Sequence, residues 1–155
     1  MTLIRFATPD DVGTILRFVR ELAEYERELD KVVATEPMLH DALFSSPPAA
    51  EALIAEVDGE PVGLALFFHN FSTWTGWRGL YLEDLYVTPA ARGSGVGKAL
   101  LKRLAQIAVA RGCQRFEWAV LDWNTPAQDF YKAMGASMMD DWRICRMAGD
   151  ALTAF

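Results

Sequence analysis

Two adjacent acids, Glu83 and Asp84, interrupt an apolar run, YLEDLYV at 81–87, and a glycine-rich segment, RGSGVGK, follows at 92–98. Carboxylates in such a run can hold a cation or take a proton. Glycines between a strand and a helix let the backbone approach an anion, which the consecutive N–H groups and the helix dipole attract. The Walker pattern fails, because it needs glycine at 92 and Ser or Thr at 99, where Arg92 and Ala99 stand. GxGxxG fails too, because its third glycine falls on Lys98 or on Leu100. What remains is Arg-x-x-Gly-x-Gly: Arg92, Gly95 and Gly97, directly after a strand and opening a helix. Gly93, Gly95 and Gly97 fall within five residues. Each glycine costs about 1 kcal/mol inside a helix, and a plain turn rarely carries that cost three times.

The elements that hold these groups can be read from spacing. LIRFA at 3–7 reads as an opening strand. Thr8 then caps a helix with Pro9 in its first turn, and Ile15, Leu16, Phe18, Val19 and Leu22 carry that helix to about Tyr25. TEPMLHDALF at 35–44 is a second short helix, capped by Thr35. Asp58-Gly59 between two β-rich runs signals a hairpin. LYLEDLYVT at 80–88 is a strand, 95–111 a helix stopped by Gly112, and RFEWAVL at 115–121 another strand. TPAQDFYKAM, with Thr125 as cap and Gly135 as stop, is a short helix, and WRICRMA at 142–148 a closing strand. No repeat or linker interrupts this order, so the expectation is one mixed α/β domain over 1–155.

Composition narrows the partners. The chain is 52% hydrophobic and 23% charged, as in ordinary soluble domains, with no apolar run near the ~20 residues that span a bilayer. Its start, MTLIRFATPDD, lacks the features of a secretory signal. Cys113 and Cys145 form no framework or CxxC pair and read as reduced. A cytoplasmic protein is the expectation. The net charge of −6 and scattered basic residues argue against nucleic acid. Acids near a ligand loop favour a cationic substrate. His40 and His69 share no pattern with Cys or carboxylate, so no metal is expected.

The Arg-x-x-Gly-x-Gly segment after LYLEDLYV resembles the acetyl-CoA pyrophosphate loop of the GCN5-related N-acetyltransferases. ILRFVRELAEYE (15–26), TEPMLHDALF, RGSGVGKALLKRLAQIA (92–108), DWNTPAQDFYKAMGA (122–136) and WRI (142–144) extend the likeness in order over nearly the whole chain. Together they look like the spermidine/spermine and thialysine N-acetyltransferase branch. The resemblance implies a mixed, largely antiparallel sheet of about six to seven strands, splayed at the middle and flanked by about four helices. It also implies acetyl transfer from acetyl-CoA to a primary amine of a small cationic acceptor, polyamine, diamine or thialysine-like, in a ternary complex.

By that resemblance the backbone of Leu85, Tyr86 and Val87 pairs with the pantetheine arm, and their amides face the thioester oxygen. Arg92, Gly93, Ser94, Gly95, Val96, Gly97 and Lys98 surround the pyrophosphate, and Asn124, Thr125, Pro126 and Ala127 lie along the arm near the sulfur. An alkyl ammonium, with a pKa near ~10.4, costs about 4 kcal/mol to deprotonate at physiological pH, so a carboxylate that takes its proton helps. Glu83 matches the family acid that lines the amine site, and strand alternation puts Glu83 with Leu85 on one face and Asp84 on the other. Tyr131 corresponds to the family's general acid for the leaving thiolate, with Phe130 as core. Tyr25, Glu26 and Trp74 match residues that border the acceptor, joined by Glu83 and Asp84; Trp74 could cover an alkyl chain or meet its ammonium. The segment GASMMDDWRI is shorter than in vertebrate polyamine acetyltransferases, and Asp140 and Asp141 align only loosely with the acid found there. An amino acid acceptor would need a cation for its carboxylate, such as Arg78 or Arg143. A non-catalytic acetyl-CoA sensor, or acetylation of protein or peptide lysines, are the other classes. Members of this branch typically form homodimers, which is the expectation here.

Overall fold

The computed structural model describes residues 1–155. TLIRF forms β1 (Thr2–Phe6), and a single 3-10 turn, Pro9–Asp11, leads into α1 (Val12–Tyr25). Thr8 stands at the N-cap of that turn, and its backbone N–H donates to Asp11 Oδ2 at 2.7 Å. Arg5 forks onto both Asp11 oxygens at 2.7 and 2.9 Å and donates through Nε to Glu56 at 2.8 Å. That bidentate bond, above all else, holds the Asp11 carboxyl below its ordinary value and fixes the start of α1 against the sheet. The second helix, α2 (Glu36–Phe44), begins as expected at Thr35, whose hydroxyl accepts the Met38 N–H at 3.4 Å.

Strands β2 (Glu51–Val57) and β3 (Glu60–Ser72) form the hairpin read from Asp58-Gly59. Their φ values of 52° and 81° put two consecutive residues in the left-handed region, as a tight primed turn demands. Next come β4 (Trp77–Val87), α3 (Val96–Ala110) and β5 (Phe116–Trp118). The sheet runs β1-β2-β3-β4-β5, antiparallel except for the parallel β4–β5 pair, which the α3 crossover makes possible. Gly112, with φ 75°, ends α3 as expected, and the Cys113 N–H reaches back to the Ala108 carbonyl at 2.9 Å.

One core lies between the sheet and the first two helices: Ile15, Phe18, Leu43, Ala52, Ile54, Leu64 and Tyr86, with Leu66 packed against them. On the other sheet face α3 contributes Leu100, Leu104 and Ile107.

The chain divides into two compact units, Met1–Ala119 and Val120–Phe155. The second holds α4 (Thr125–Ala133) and the short α5 (Asp150–Thr153). Three expectations change here. The cap of α4 is Asn124, whose Oδ1 accepts the Ala127 N–H at 3.3 Å, and Thr125 is the first helical residue. The strand read at 115–121 shortens to Phe116–Trp118, and 142–148 forms none, leaving five strands in place of six or seven. A run forms a strand only by pairing with a neighbour, and neither 119–121 nor 142–148 does so. Phe130, expected in a core, is exposed, while Tyr131 is half-buried.

Candidate active site

In the first unit the site is built on the open part of β4. Its pairing with β5 covers Leu80, Tyr81 and Leu82 alone, so Glu83 to Val87 have β3 on one side and no strand on the other. The ladder with β3 is irregular where the free edge begins: Leu82 faces Phe67 and Asp84 faces Leu66, so Glu83 is an extra, bulged residue.

That bulge decides where the acids point. Residues directly opposite share a face, and neighbours along a strand alternate. Leu66 packs with the α1–α2 core, so Asp84 lies on the α1 side, as Tyr86 does opposite Leu64. Leu82 pairs with Phe67 on the α3 side, and Glu83, next along, returns to the α1 side. The acids therefore share one face and Leu85, opposite Ala65, takes the other; the separation expected from strict alternation is overturned. The sequence held no sign of it, because a bulge is a property of two strands.

The last turn of α1 adds Glu26 to the same place. Burial first, then the charges of Glu83 and Glu26, push the Asp84 carboxyl up from 3.8 to about 6. Glu26 is also raised, by burial, then Glu28, then Glu83. Glu83 itself is exposed. Tyr81 is raised by burial, then by Glu83 and Glu117. These carboxylates sense one another across α1 and β4, and they form a negative strip along the free edge that suits a cation.

The glycine segment follows one 3-10 turn after β4. Gly93 and Gly95 have φ of 78° and 90°, and a Cβ on either would point into open space. Ser94 Oγ donates to the Ala91 carbonyl, and the first bond of α3 runs from the Ala99 N–H to Gly95 O at 3.0 Å. The N–H groups of Val96, Gly97 and Lys98 thus precede the helix ladder, a cradle for an anion. Val96 turns its side chain into the core. Arg92 does not extend with them. Its Nε donates to the Val87 carbonyl at 2.9 Å, and its guanidinium lies 5.5 Å from the Tyr25 ring centroid and 5.7 Å from that of Tyr86. Arg92 therefore locks the end of α1 to the end of β4, a role sequence reasoning missed. The Tyr86 hydroxyl is raised by burial and then by Glu21, which sits four residues before Tyr25 on α1; that helical spacing was the available signal.

Trp74 stands 85% exposed in the turn between β3 and β4. From Trp77 to Glu83 the strand runs about 20 Å, so within one chain Trp74 does not approach the acids.

In the second unit α4 presents Asn124, Thr125, Pro126 and Ala127 in its first turn, with Gln128 Nε2 donating to the Leu121 and Asp122 carbonyls at 3.1 and 2.9 Å. Tyr131 lies two turns on, its ring 5.5 Å from that of Phe130.

Residues 16–136 match the family model described as the Acetyltransferase (GNAT) family, a span that runs across both units. The chain is 44% identical over 161 residues to a thialysine N-epsilon-acetyltransferase from Sus scrofa, covering 97% of this chain and 94% of that one. It is 33% identical to an L-ornithine N5-acetyltransferase from Arabidopsis thaliana, covering 97% and 86%. Among solved structures, an integron cassette protein from the mobile metagenome of V. cholerae superposes with a TM-score of 0.82 at 29% identity, covering 99% and 96%.

Proposed function

The chain belongs to the GNAT acetyltransferase family and is an N-acetyltransferase, and we propose that its acceptor is a short cationic amine of the thialysine, ornithine or diamine kind, acetylated directly from acetyl-CoA in a ternary complex. The observation that carries this reading is the strip of Glu26, Glu83 and Asp84 beside an unpaired strand edge and a glycine cradle.

The residues fit acetyl-CoA. Left-handed Gly93 and Gly95 with nothing above them leave room for a pyrophosphate, held by backbone amides from Gly93 to Lys98. The edge from Leu85 to Val87 can pair with the amide-bearing arm as an added strand would. Asn124, Thr125, Pro126 and Ala127 take the remainder of the arm. The thioester supplies an acetyl group activated by a good leaving thiolate. The chain's own work is then to position, to stabilise charge on the thioester oxygen through the Leu85–Val87 amides, and to move protons. Tyr131 gives a proton to the departing sulfur. The acidic strip draws the ammonium in and receives its proton, Glu83 lines the groove, and Tyr25 and Glu26 close it from α1.

We also propose a homodimer in the cytoplasm. Exposed Trp142, Ile144, Met147 and Phe155 in the second unit, and Phe71, Trp74 and Trp77 around the β3–β4 turn, support pairing. No helix is long and apolar enough to cross a membrane. Sedimentation giving a lone 17.3 kDa species at micromolar concentration removes the dimer.

Initial-rate kinetics test the central proposal. Varying acetyl-CoA and thialysine together gives intersecting reciprocal plots for a ternary complex, and Tyr131→Phe lowers turnover while acetyl-CoA binding by calorimetry persists. Parallel plots, or a Tyr131→Phe enzyme with unchanged turnover, contradict it.

A further inference from the structure

We propose that Glu117, together with the rings of Phe68 and Tyr81, holds a second positive charge of the acceptor, so that the enzyme selects amines with two cations about 6–8 Å apart. This rests on the acetyl-transfer reading above and deepens it, by naming what the far end of the acceptor must carry.

Register carries it. Tyr81 stands between Phe68 of β3 and Glu117 of β5, so the three side chains form one row across the sheet. Phe67 lies on the α3 side, and Phe68, next along β3, therefore shares the α1 side with Leu66 and Asp84. The Phe68 and Tyr81 ring centroids are 5.1 Å apart, as a shared face requires. Phe116 and Trp118, the neighbours of Glu117, meet each other at 4.8 Å on the opposite face. From the Leu66–Asp84 pair to the Phe68–Tyr81 pair β3 advances two residues, about 7 Å. Four or five atoms between two nitrogens span about 6–8 Å, the length of ornithine, thialysine and the short diamines.

Only one direction from Asp84 is open to such a chain. Toward the end of β4 comes Tyr86, buried and packed on Phe18, with the Arg92 guanidinium over its ring. A second cation is repelled there. In the other direction α1 has ended at Tyr25, and Phe68 and Tyr81 are half-buried outside the α1–α2 core. An alkyl chain laid over them from Asp84 brings its far end beside Glu117. That carboxylate is available, unlike those of Asp11 and Glu51, which arginine forks consume. Its ion-pair partner is Arg115, at 3.7 Å, and Arg115 Nε makes no hydrogen bond. The negative field at this row is felt by Tyr81, whose hydroxyl is raised by burial first and then by Glu83 and Glu117. Aromatic faces beside a carboxylate attract an ammonium leaving water.

The test compares cadaverine with pentylamine, which lacks the second amine, by kcat/KM on wild type, Glu117→Gln, Glu117→Asp, Tyr81→Leu and Arg115→Gln. Wild type should favour cadaverine about tenfold or more. Glu117→Gln and Tyr81→Leu should each lower that ratio severalfold, mainly through KM for cadaverine, and Glu117→Asp should keep part of it. Arg115→Gln should raise the ratio, because it removes the cation that competes for Glu117. Both amines are read on the same enzyme, so the ratio does not depend on how much of a variant is folded. A wild-type ratio no larger than the two equivalent ends of cadaverine explain, or one that Glu117→Gln leaves unchanged, overturns the proposal. A wild-type chain that acetylates neither these amines nor thialysine removes the functional reading itself, and the proposal with it.

Discussion

Replacing Asp84 with asparagine should stabilise the fold at neutral pH. Asp84 titrates at about 6 in the folded chain against 3.8 in the ordinary state, so the native protein binds this proton more tightly than the unfolded chain does. Below 3.8 both states are protonated and the carboxyl costs nothing. As pH rises from 3.8 toward 6 the unfolded chain ionises first and stability falls; above that the full penalty remains. A difference of about two pH units is worth about 3 kcal/mol, and water access to a half-buried side chain reduces this to about 1.5 kcal/mol. In a chain of this size that corresponds to about 3–6 °C in Tm. Scanning calorimetry at pH 8 and pH 4 reads it. Asp84→Asn should melt higher than wild type at pH 8 and nearly level with it at pH 4. Equal stability at pH 8, or the same gain at both values, would refute the electrostatic reasoning, since neither outcome can arise from a charge held in a poor environment.

Other substitutions test other parts of the account. Arg111 forks onto Glu51 at 2.6 and 2.9 Å and lies over the Phe67 ring, and it is the main reason that the Glu51 carboxyl sits below 4.5. Arg111→Met should cost about 1–3 kcal/mol in urea melts at pH 7. That difference should shrink as pH falls below 4.5, where wild type loses the interaction as well. Gly95→Ala forces a side chain onto φ 90° with no clash, at about 1–2 kcal/mol, and should raise KM for acetyl-CoA more than KM for the amine. Asn124→Ala should speed hydrogen exchange in the first turn of α4 by about the 1 kcal/mol of a lost cap, whereas Thr125→Ala should not.

What the sequence disclosed was what short stretches settle by themselves. Thr35 as a cap, Asp58-Gly59 as a primed turn and Gly112 as a stop each depend on a few consecutive residues, and each appears in place. The glycine segment opening α3 was legible for the same reason. One slip, Thr125 for Asn124, came from two adjacent residues that both cap well. The larger differences are tertiary. The bulge at Glu83 exists only in the register against Leu66 and Phe67, so the facing of the two acids could not be read from 81–87 alone. Arg92 was read as part of the anion loop, and its stacking on Tyr25 and Tyr86 depends on how α1 ends beside β4. The run 142–148 has a strand's alternation, and within this chain no sheet edge takes it.

The most direct measurement is the identity of the acetylated product. Purified chain is incubated with acetyl-CoA and, separately, thialysine, ornithine, lysine, putrescine, spermidine, spermine and a lysine peptide, with thiol release followed and the acceptor analysed by mass spectrometry. The account predicts one acetyl group on the side-chain or terminal amine of a small acceptor, with no comparable turnover of the peptide. Acetylation of the peptide alone, or tight acetyl-CoA binding with no acetylated amine, would contradict it.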